Sequence, residues 1–514
     1  MADESTANWI SENLQHYHFP YDMVFGTFYS SATSHDSIYY DDAGDSALWT
    51  GVYLAAESFR YFVTRSPDAL ANVQKALNGI RKTSQISGNG LLARCVFPKD
   101  GLGVDYFKSQ EGRHGIYEEK IDGEDYYWVD NGSRDQYAGV FFGLAVAHEL
   151  VDQPDVESLT RGLVTSLVIY LLDHWWTPKD PHSGKLSTTF LHRPDMRLAI
   201  LQIARHVAPD QKRFSDEYKK RRRTSAWLVP APVWYECRNP YDSYFKFNLI
   251  ALYLYNLIRL EQLEDPQSKY LKHYRKAFRK FRETTKDHGN AHFNMIDCAL
   301  NGLEAKRDQE TIELLDLWIS RGLRRKAVDN PNVKVCGKNR ACDPIPVDKR
   351  PCAGFLWEVT PFQIAGDGNL RLEYAGVDYL LPYWMARYHD VLKSTPRMAA
   401  RLVRLCCPSR ARMDVTMTAS DDAGMTVTSL TVTMTDRNGT DQHTRMLTED
   451  ELAVLLGGTS HLEAGGSGTI SDEAAYPGDV DTRGSTGRAS MTVTDDRGDT
   501  STHRFNVTFQ HDGC

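Results

Sequence analysis

Acidic and amide side chains recur in this chain just before long apolar runs, and that placement suits acid/base chemistry. Asp41, Asp42 and Asp45 precede the first run. Asp130, Asn131, Arg134, Asp135 and Gln136 precede or open the second. His192, Arg193 and Asp195 precede or open the third, and Asn239 and Asp242 precede the fourth. His288, Asn290, His292 and Asn294 flank the start of the fifth, and Glu358, Gln363, Glu373 and Asp378 lead into the sixth. A concave site with several carboxylates and few cations can move protons on a neutral polyol. Asp45 and Asp135 are the preferred acid/base pair. Asp378 is the alternative base, with Glu373 about one turn before it. Aromatic residues at Trp49, Trp128 and Trp357 accompany them, with rings able to stack on sugar faces. Asn131, Gln136, Asn239, Asp242, His292 and Asn294 complete the expected substrate contacts. The competing explanation is structural, because Asp, Asn and Ser at helix starts cap helices in any helical protein.

The elements that must position these residues are helices. In DSALWTGVYLAAESFRYFVT, apolar residues at Leu48, Val52, Ala55, Ala56, Phe59 and Val63 repeat at helical spacing. A second, more polar helix follows from Asp68 to Arg81. The same unit recurs at Arg134 with Val156–Trp175, after Pro194 with Gln211–Arg222, and near Asp242 with Gln267–Thr284. It recurs again near Asn290 with Gln309–Gly322, and the sixth begins near Glu373. The first helix of several pairs is apolar nearly all round and must be buried, whereas the second is amphipathic and belongs at a surface. Six such pairs describe an (α/α)6 toroid spanning residues 45–393, with the inner-helix starts on one face. A long irregular solenoid is the competing arrangement. Residues 1–44 show no sustained period and read as an N-terminal arm. Residues 394–412 read as a linker.

From Met413 the composition turns to Thr, Val, Asp and Gly with period-2 alternation. SLTVTMTDRNGTDQHTR from Ser429 and SMTVTDDRGDTSTHRF from Ser490 each spell a strand, a turn and a strand. Residues 413–514 are therefore expected as a small all-β sandwich of the immunoglobulin-like or PKD-like kind, with a short helix in TEDELAVLL. Its SDDAG and DDRGD stretches carry oxygen donors of the type Ca2+ takes, and solvated turns are the simpler account. No other cofactor is implied. The segments of P-loop, dinucleotide, HExxH and GxSxG chemistry are absent.

Composition narrows the partners. A net charge of −8 argues against nucleic acid as the main partner. The run Lys219-Lys220-Arg221-Arg222-Arg223 reads as a solvated helix end. No stretch is apolar for long enough to span a membrane, and no leader is visible near Met1, so the cytoplasm is the expected location, with secretion or the cell surface as the alternative. Of nine cysteines, Cys95, Cys237 and Cys298 read as small core residues. Cys336, Cys342 and Cys352 share a loop in which a disulfide is possible, and Cys406, Cys407 and Cys514 could bridge the second domain.

The runs LWTGVYLAAESFRYFVT, LLARCVF and EYAGVDYLLPYWMARY resemble the six-hairpin glycosidase-like superfamily, nearest a bacterial branch marked by LWT-x-x-YLAA-x-S-F-R-Y. The resemblance covers roughly residues 40–390. It implies an (α/α)6 toroid with its site at the inner-helix starts, where Asp45 and Asp135 match acidic positions and Asn239, Asp242 and Asn294 match polar ones. HELVDQPD replaces the branch's usual small-residue loop after the second inner helix. The expected activity is carbohydrate chemistry, with glycoside hydrolysis of an oligosaccharide foremost. Elimination, isomerisation and cyclisation or dehydration on the same ring are the alternatives, as is glycan binding without turnover.

Overall fold

The structure is a computed structural model describing residues 3–241, 244–351, 359–392, 397–405, 410–420, 423–435, 442–476, 486–496, 498 and 500–511. The chain divides into two compact units, Met1–Leu392 and Lys393–Cys514.

The first unit is the (α/α)6 toroid. Its inner helices are Ser46–Thr64, Arg134–Leu150, Pro194–Val207, Phe245–Glu264, Ala291–Asn301 and Val377–Tyr388. They pack in succession, and the last lies against the first, which closes the ring. Every residue from Ser46 to Tyr61, and every one from Phe247 to Ile258, is buried, as helices apolar all round require. Five outer helices follow their inner partners: Pro67–Gln85, Pro154–Asp173, Lys212–Ser225, Leu271–Thr285 and Ala305–Arg321. Leu271–Thr285 buries only a stripe of Leu271, Tyr274, Ala277, Phe278, Phe281 and Thr285.

The sixth outer helix comes from the other end of the chain. Residues 1–44, expected as an N-terminal arm with no sustained period, supply helix Glu4–Asn13, which packs on the last inner helix Val377–Tyr388. Asp3 caps it by accepting from Thr6 N at 2.8 Å, and Arg387 donates to Glu4 at 2.7 Å. The same segment then forms strands Gly26–Tyr29 and Ser37–Asp41. These pair with each other, and Gly26–Tyr29 also pairs with Asn369–Glu373 just before the last inner helix. The N-terminal segment is thus part of the ring and of its helix-start face.

The first two inner helices approach unusually closely. A Cβ built on Gly51 would sit 2.3 Å from the Gly139 backbone, and one on Gly139 would sit 2.2 Å from the Leu48 carbonyl oxygen. Only glycine permits that contact. A three-stranded sheet, Cys95–Pro98, Glu124–Val129 and Ile116–Ile121 with Glu124–Val129 central, is inserted before the second inner helix. The Arg94 carbonyl at its edge accepts from Ala47 N at 3.0 Å, tying the sheet to the first turn of the first inner helix. Helix Val104–Glu111 belongs to this insertion.

The second unit is a small β domain. Among the described residues its strands join in one hydrogen-bonded sheet. Arg397–Leu405 and Arg410–Thr418, placed largely in the expected linker 394–412, are two of them. The repeated hairpins are Met425–Thr435 with Gln442–Thr448, and Thr486–Asp495 with Thr500–His511. The sheet curls so that its outermost strands, Gln442–Thr448 and Ser467–Tyr476, approach each other. Arg445 Nε lies 3.3 Å from Asp472 Oδ2 across that seam, and helix Glu449–Leu455 packs over it. Met413, Val415, Met417, Val427, Met491 and Val493 line the enclosed face at alternate positions.

Cys336 and Cys342 form a disulfide, while Cys95, Cys237 and Cys298 are buried thiols. Cys352, Cys406, Cys407 and Cys514 lie outside the described residues. Among the described residues no helix is long and apolar enough to cross a membrane.

Candidate active site

Asp45 and Asp135 stand together at the starts of the first and second inner helices, and neither spends its side chain on a cap. Asp45 occupies the N-cap position of Ser46–Thr64 but makes no capping hydrogen bond. The cap of Arg134–Leu150 is Ser133, in a reciprocal box with Gln136. Gln136 is fully buried and turns its amide to Asp45 Oδ1 at 2.9 Å and to the Gly44 carbonyl at 3.1 Å. Arg94 Nη1 lies 3.6 Å from Asp45 Oδ1 and donates to the Gly44 carbonyl at 2.9 Å. The Asp45 side chain remains 41% exposed, so it is fixed from below and open from above.

The carboxylates around it repel one another. Burial and then the charge of Asp45 raise Asp135 above the usual aspartate value, against Arg94, Ser133 and Arg134, which lower it. Burial raises Asp45 too, against Arg94, Gln136 and Arg113. Burial together with Asp41, Asp45 and Glu111 pushes Asp42 up to about 8. Its Oδ2 is buried without a hydrogen-bond partner among the described residues, and its backbone is left-handed at φ 59°. Glu111 accepts from Gly44 N at 3.0 Å and is likewise raised, mainly by burial. Burial and the cations Arg94 and Arg113 lower His114 to about 4, so its imidazole is neutral at neutral pH. Asn131, also left-handed at φ 56°, passes its carbonyl to Arg94 Nε at 2.8 Å and lies 3.4 Å from His114 Nδ1. Asp130, fully buried beside Asp180, is raised to about 6 by burial first. Arg94, Glu111 and His114 were not singled out from the sequence. They come from the inserted segment, and only its charged residues in an otherwise aromatic stretch hinted at them.

The other sequence candidates lie elsewhere. Glu373 is nearly buried and accepts from Asn13 at 2.9 Å, with His18 Nε2 at 3.0 Å and Arg324 beside it. Burial alone would raise it. His18, Asn13 and Arg324 together outweigh burial and hold it at about 2. Asp378 accepts from Trp318 Nε1 at 3.0 Å and lies 3.7 Å from Arg321, both on outer helix Ala305–Arg321, so it joins inner to outer layer. Asn294 accepts from Arg282 and donates to Glu310, both at 3.0 Å, and so faces two outer helices. Trp49 and Trp128 are buried to 1% and present no face to a ligand. Trp128 packs on Tyr117 instead. His292 is fully buried, and that burial lowers it to about 3. Asn239 lies in an exposed turn, accepting from Tyr241 N. Asp242 and Trp357 lie outside the described residues, as do Asp421, Asp422 and Asp499 of the stretches with Ca2+-type donors. The starts of all six inner helices share one face, but among the described residues their polar side chains do not converge on one site. Those of the first two do, and Asp195 of the third, in a buried pair with Arg193 at 2.6 Å, adjoins them through Tyr253.

No protein-family model matches this chain, and no curated protein matches it. Among solved structures it is similar to cellobiose 2-epimerase from Spirochaeta thermophila, at 11% identity and a TM-score of 0.36, over 75% of this chain and 98% of that one. It is also similar to an alkylpurine DNA glycosylase from Pseudomonas fluorescens bound to DNA containing an abasic site analog. There the identity is 11% and the TM-score 0.13, over 73% of this chain and 87% of that one.

Proposed function

We propose that the chain is a carbohydrate-active enzyme, foremost a glycoside hydrolase of a neutral oligosaccharide, with Asp45 and Asp135 as its working carboxyls. The observation that carries this reading is the pairing itself: two aspartates at adjacent helix starts, both spared from capping, one held by Gln136 and Arg94 yet open to solvent. Hydrolysis of a glycosidic bond needs one carboxyl that keeps its proton and one that is ionised. Arg94 and Gln136 favour the ionised form of Asp45. That charge and burial favour the protonated form of Asp135, which then protonates the leaving oxygen while Asp45 attacks or activates water. Burial raises both carboxyls, and the Gln136 hydrogen bond to Asp45 together with the Asp45 charge beside Asp135 assigns Asp45 as base and Asp135 as acid. Asn131, beside Arg94 and His114, would bind a sugar hydroxyl.

The test is release of reducing ends from a panel of neutral oligosaccharides, with Asp45→Asn and Asp135→Asn compared at matched circular dichroism. Loss in both supports the reading. Full activity in either variant, or glycan binding with no turnover in the parent chain, overturns it. One observation favours a second reading: His114 is neutral and adjoins the cluster, as a base for proton abstraction at carbon would be. Solvent deuterium entering the recovered sugar, abolished in His114→Asn, distinguishes isomerisation from hydrolysis.

A further inference from the structure

The run Lys219–Arg223 reads in sequence as a solvated helix end. In the fold it is half of a larger surface. Helix Lys212–Ser225 carries seven Lys and Arg against two acids, and helix Leu271–Thr285 carries six against one. Together they are net +10 in a chain of net −8. The two are neighbours on the outer ring: Tyr218 and Tyr274 meet at 3.5 Å through their hydroxyls, and Arg222 lies over the Tyr270 ring at 4.5 Å. Three nearby acids are already engaged. Glu261 takes Arg222, Glu217 takes Arg221, and Asp297 takes Arg282. Lys219, Lys220, Arg223, Lys272, Arg279 and Lys280 have no acidic partner among the described residues. Like charges left unpaired at helical spacing cost stability, so a counter-charge outside the chain is the natural complement.

The connection that packs against both helices, Ala226–Glu236, adds flat aromatic faces. Trp227 is 62% exposed and Trp234 44%, although indoles are ordinarily well buried. Each is held in place. Trp227 Nε1 donates to the Thr224 carbonyl at 3.0 Å, and Lys276 Nζ sits 4.8 Å over the Trp234 ring. An ordered, exposed ring beside a cation can stack on a sugar face while the cation meets an acidic substituent. Membrane docking fits less well, because the apolar residues of both helices, Phe214, Leu271, Phe278 and Phe281 among them, point into the protein.

We propose that this outer face, Lys212–Ser225 and Leu271–Thr285 with Trp227 and Trp234 between them, binds an acidic polysaccharide bearing carboxylate or sulfate groups. The choice of a glycan among polyanions rests on the carbohydrate reading of the Asp45–Asp135 site. The surface holds an acidic polymer on the outer ring, apart from the Asp45–Asp135 carboxyls and the neutral oligosaccharide they act on.

The test measures binding of the full chain to polygalacturonate and to heparin at several salt concentrations. Single-stranded DNA and vesicles of mixed zwitterionic and anionic phospholipid serve as comparison probes. Binding to the polysaccharides is expected to weaken steeply with salt. Lys219→Glu with Lys220→Glu and Lys276→Glu should cut affinity about tenfold or more and flatten the salt dependence. Trp227→Ala with Trp234→Ala should cut it roughly tenfold while leaving the salt dependence in place. Tighter binding to DNA or to the vesicles, no polysaccharide binding at low salt, or indifference to both sets of substitutions overturns the proposal. Asp45→Asn and Asp135→Asn are expected to bind the polymer as the parent does. Failure of this surface and failure of the catalytic reading are therefore separate results.

Discussion

Two groups of carboxyls sit at inner-helix starts on the same face of the ring, and they are treated in opposite ways. Around Asp42, Asp45, Glu111 and Asp135 the negative groups outnumber the cations that reach them, and burial pushes each of these four up. Around Glu373 the reverse holds: His18, Asn13 and Arg324 surround one carboxylate and keep it ionised at about 2. Asp378 is likewise held by Trp318 and Arg321. The second group holds the closing seam of the ring together. The first is left under-compensated, which costs stability and keeps protons exchangeable near neutral pH. Perturbed carboxyls mark chemistry when they also have access to solvent, and Asp45 has it.

The largest effect that could break this contrast is catalytic. Asp45→Asn and Asp135→Asn should each lower turnover by roughly 10²–10⁴-fold with the fold intact, whereas Asp378→Asn should act mainly on stability. Next is Glu373→Gln, which leaves His18 and Arg324 facing a neutral amide. Chemical denaturation at neutral pH should register a loss of about 3–5 kcal/mol. The sign with pH follows from the depressed value. The stability Glu373 contributes is fully present above its unfolded value of 4.5 and is lost as pH falls from there through about 2. Acid titration of unfolding should therefore be flatter in the variant over that window. Third, Gly139→Ala drives a methyl into the Leu48 carbonyl and should cost about 1–3 kcal/mol while prising Asp45 from Asp135. Activity should fall by more than the lost stability explains. Fourth, Asp42 folds with its proton and unfolds without it between pH 3.8 and about 8, so its contribution to stability declines as pH rises through that range. Asp42→Asn should remove that slope and raise the melting temperature at pH 8. Smallest is Asn239→Ala, in an exposed turn, which should leave turnover and stability within about 0.5 kcal/mol of the parent.

Much of the ring was legible because burial writes itself into periodicity. Six inner helices and five outer partners follow from apolar spacing alone, and Asp45 and Asp135 are singled out by their place at the starts of the first two. Helix Glu4–Asn13 was not legible, since its stripe is short and its partner Val377–Tyr388 lies at the far end of the unit. Nor were Arg94, Glu111 and His114, which reach Asp45 only through the backbone pairing of the inserted sheet and the Gly44 amide. Glu373 and Asp378 look like Asp45 in sequence. What separates them is the set of cations that the fold brings alongside, and no local pattern encodes that. Trp49 and Trp128 show the same limit: an aromatic at a helix or strand near a mouth is as apt to fill the core as to face it.

The most direct measurement is a carboxyl titration by 13C NMR, with Asp42→Asn and Glu373→Gln used to assign the two resonances. One resonance missing in Asp42→Asn should titrate near 8, and one missing in Glu373→Gln near 2. If the Asp42 carboxyl instead titrates at the ordinary aspartate value of 3.8, the cluster is no more perturbed than a solvated surface, and the acid/base site assigned to it is contradicted.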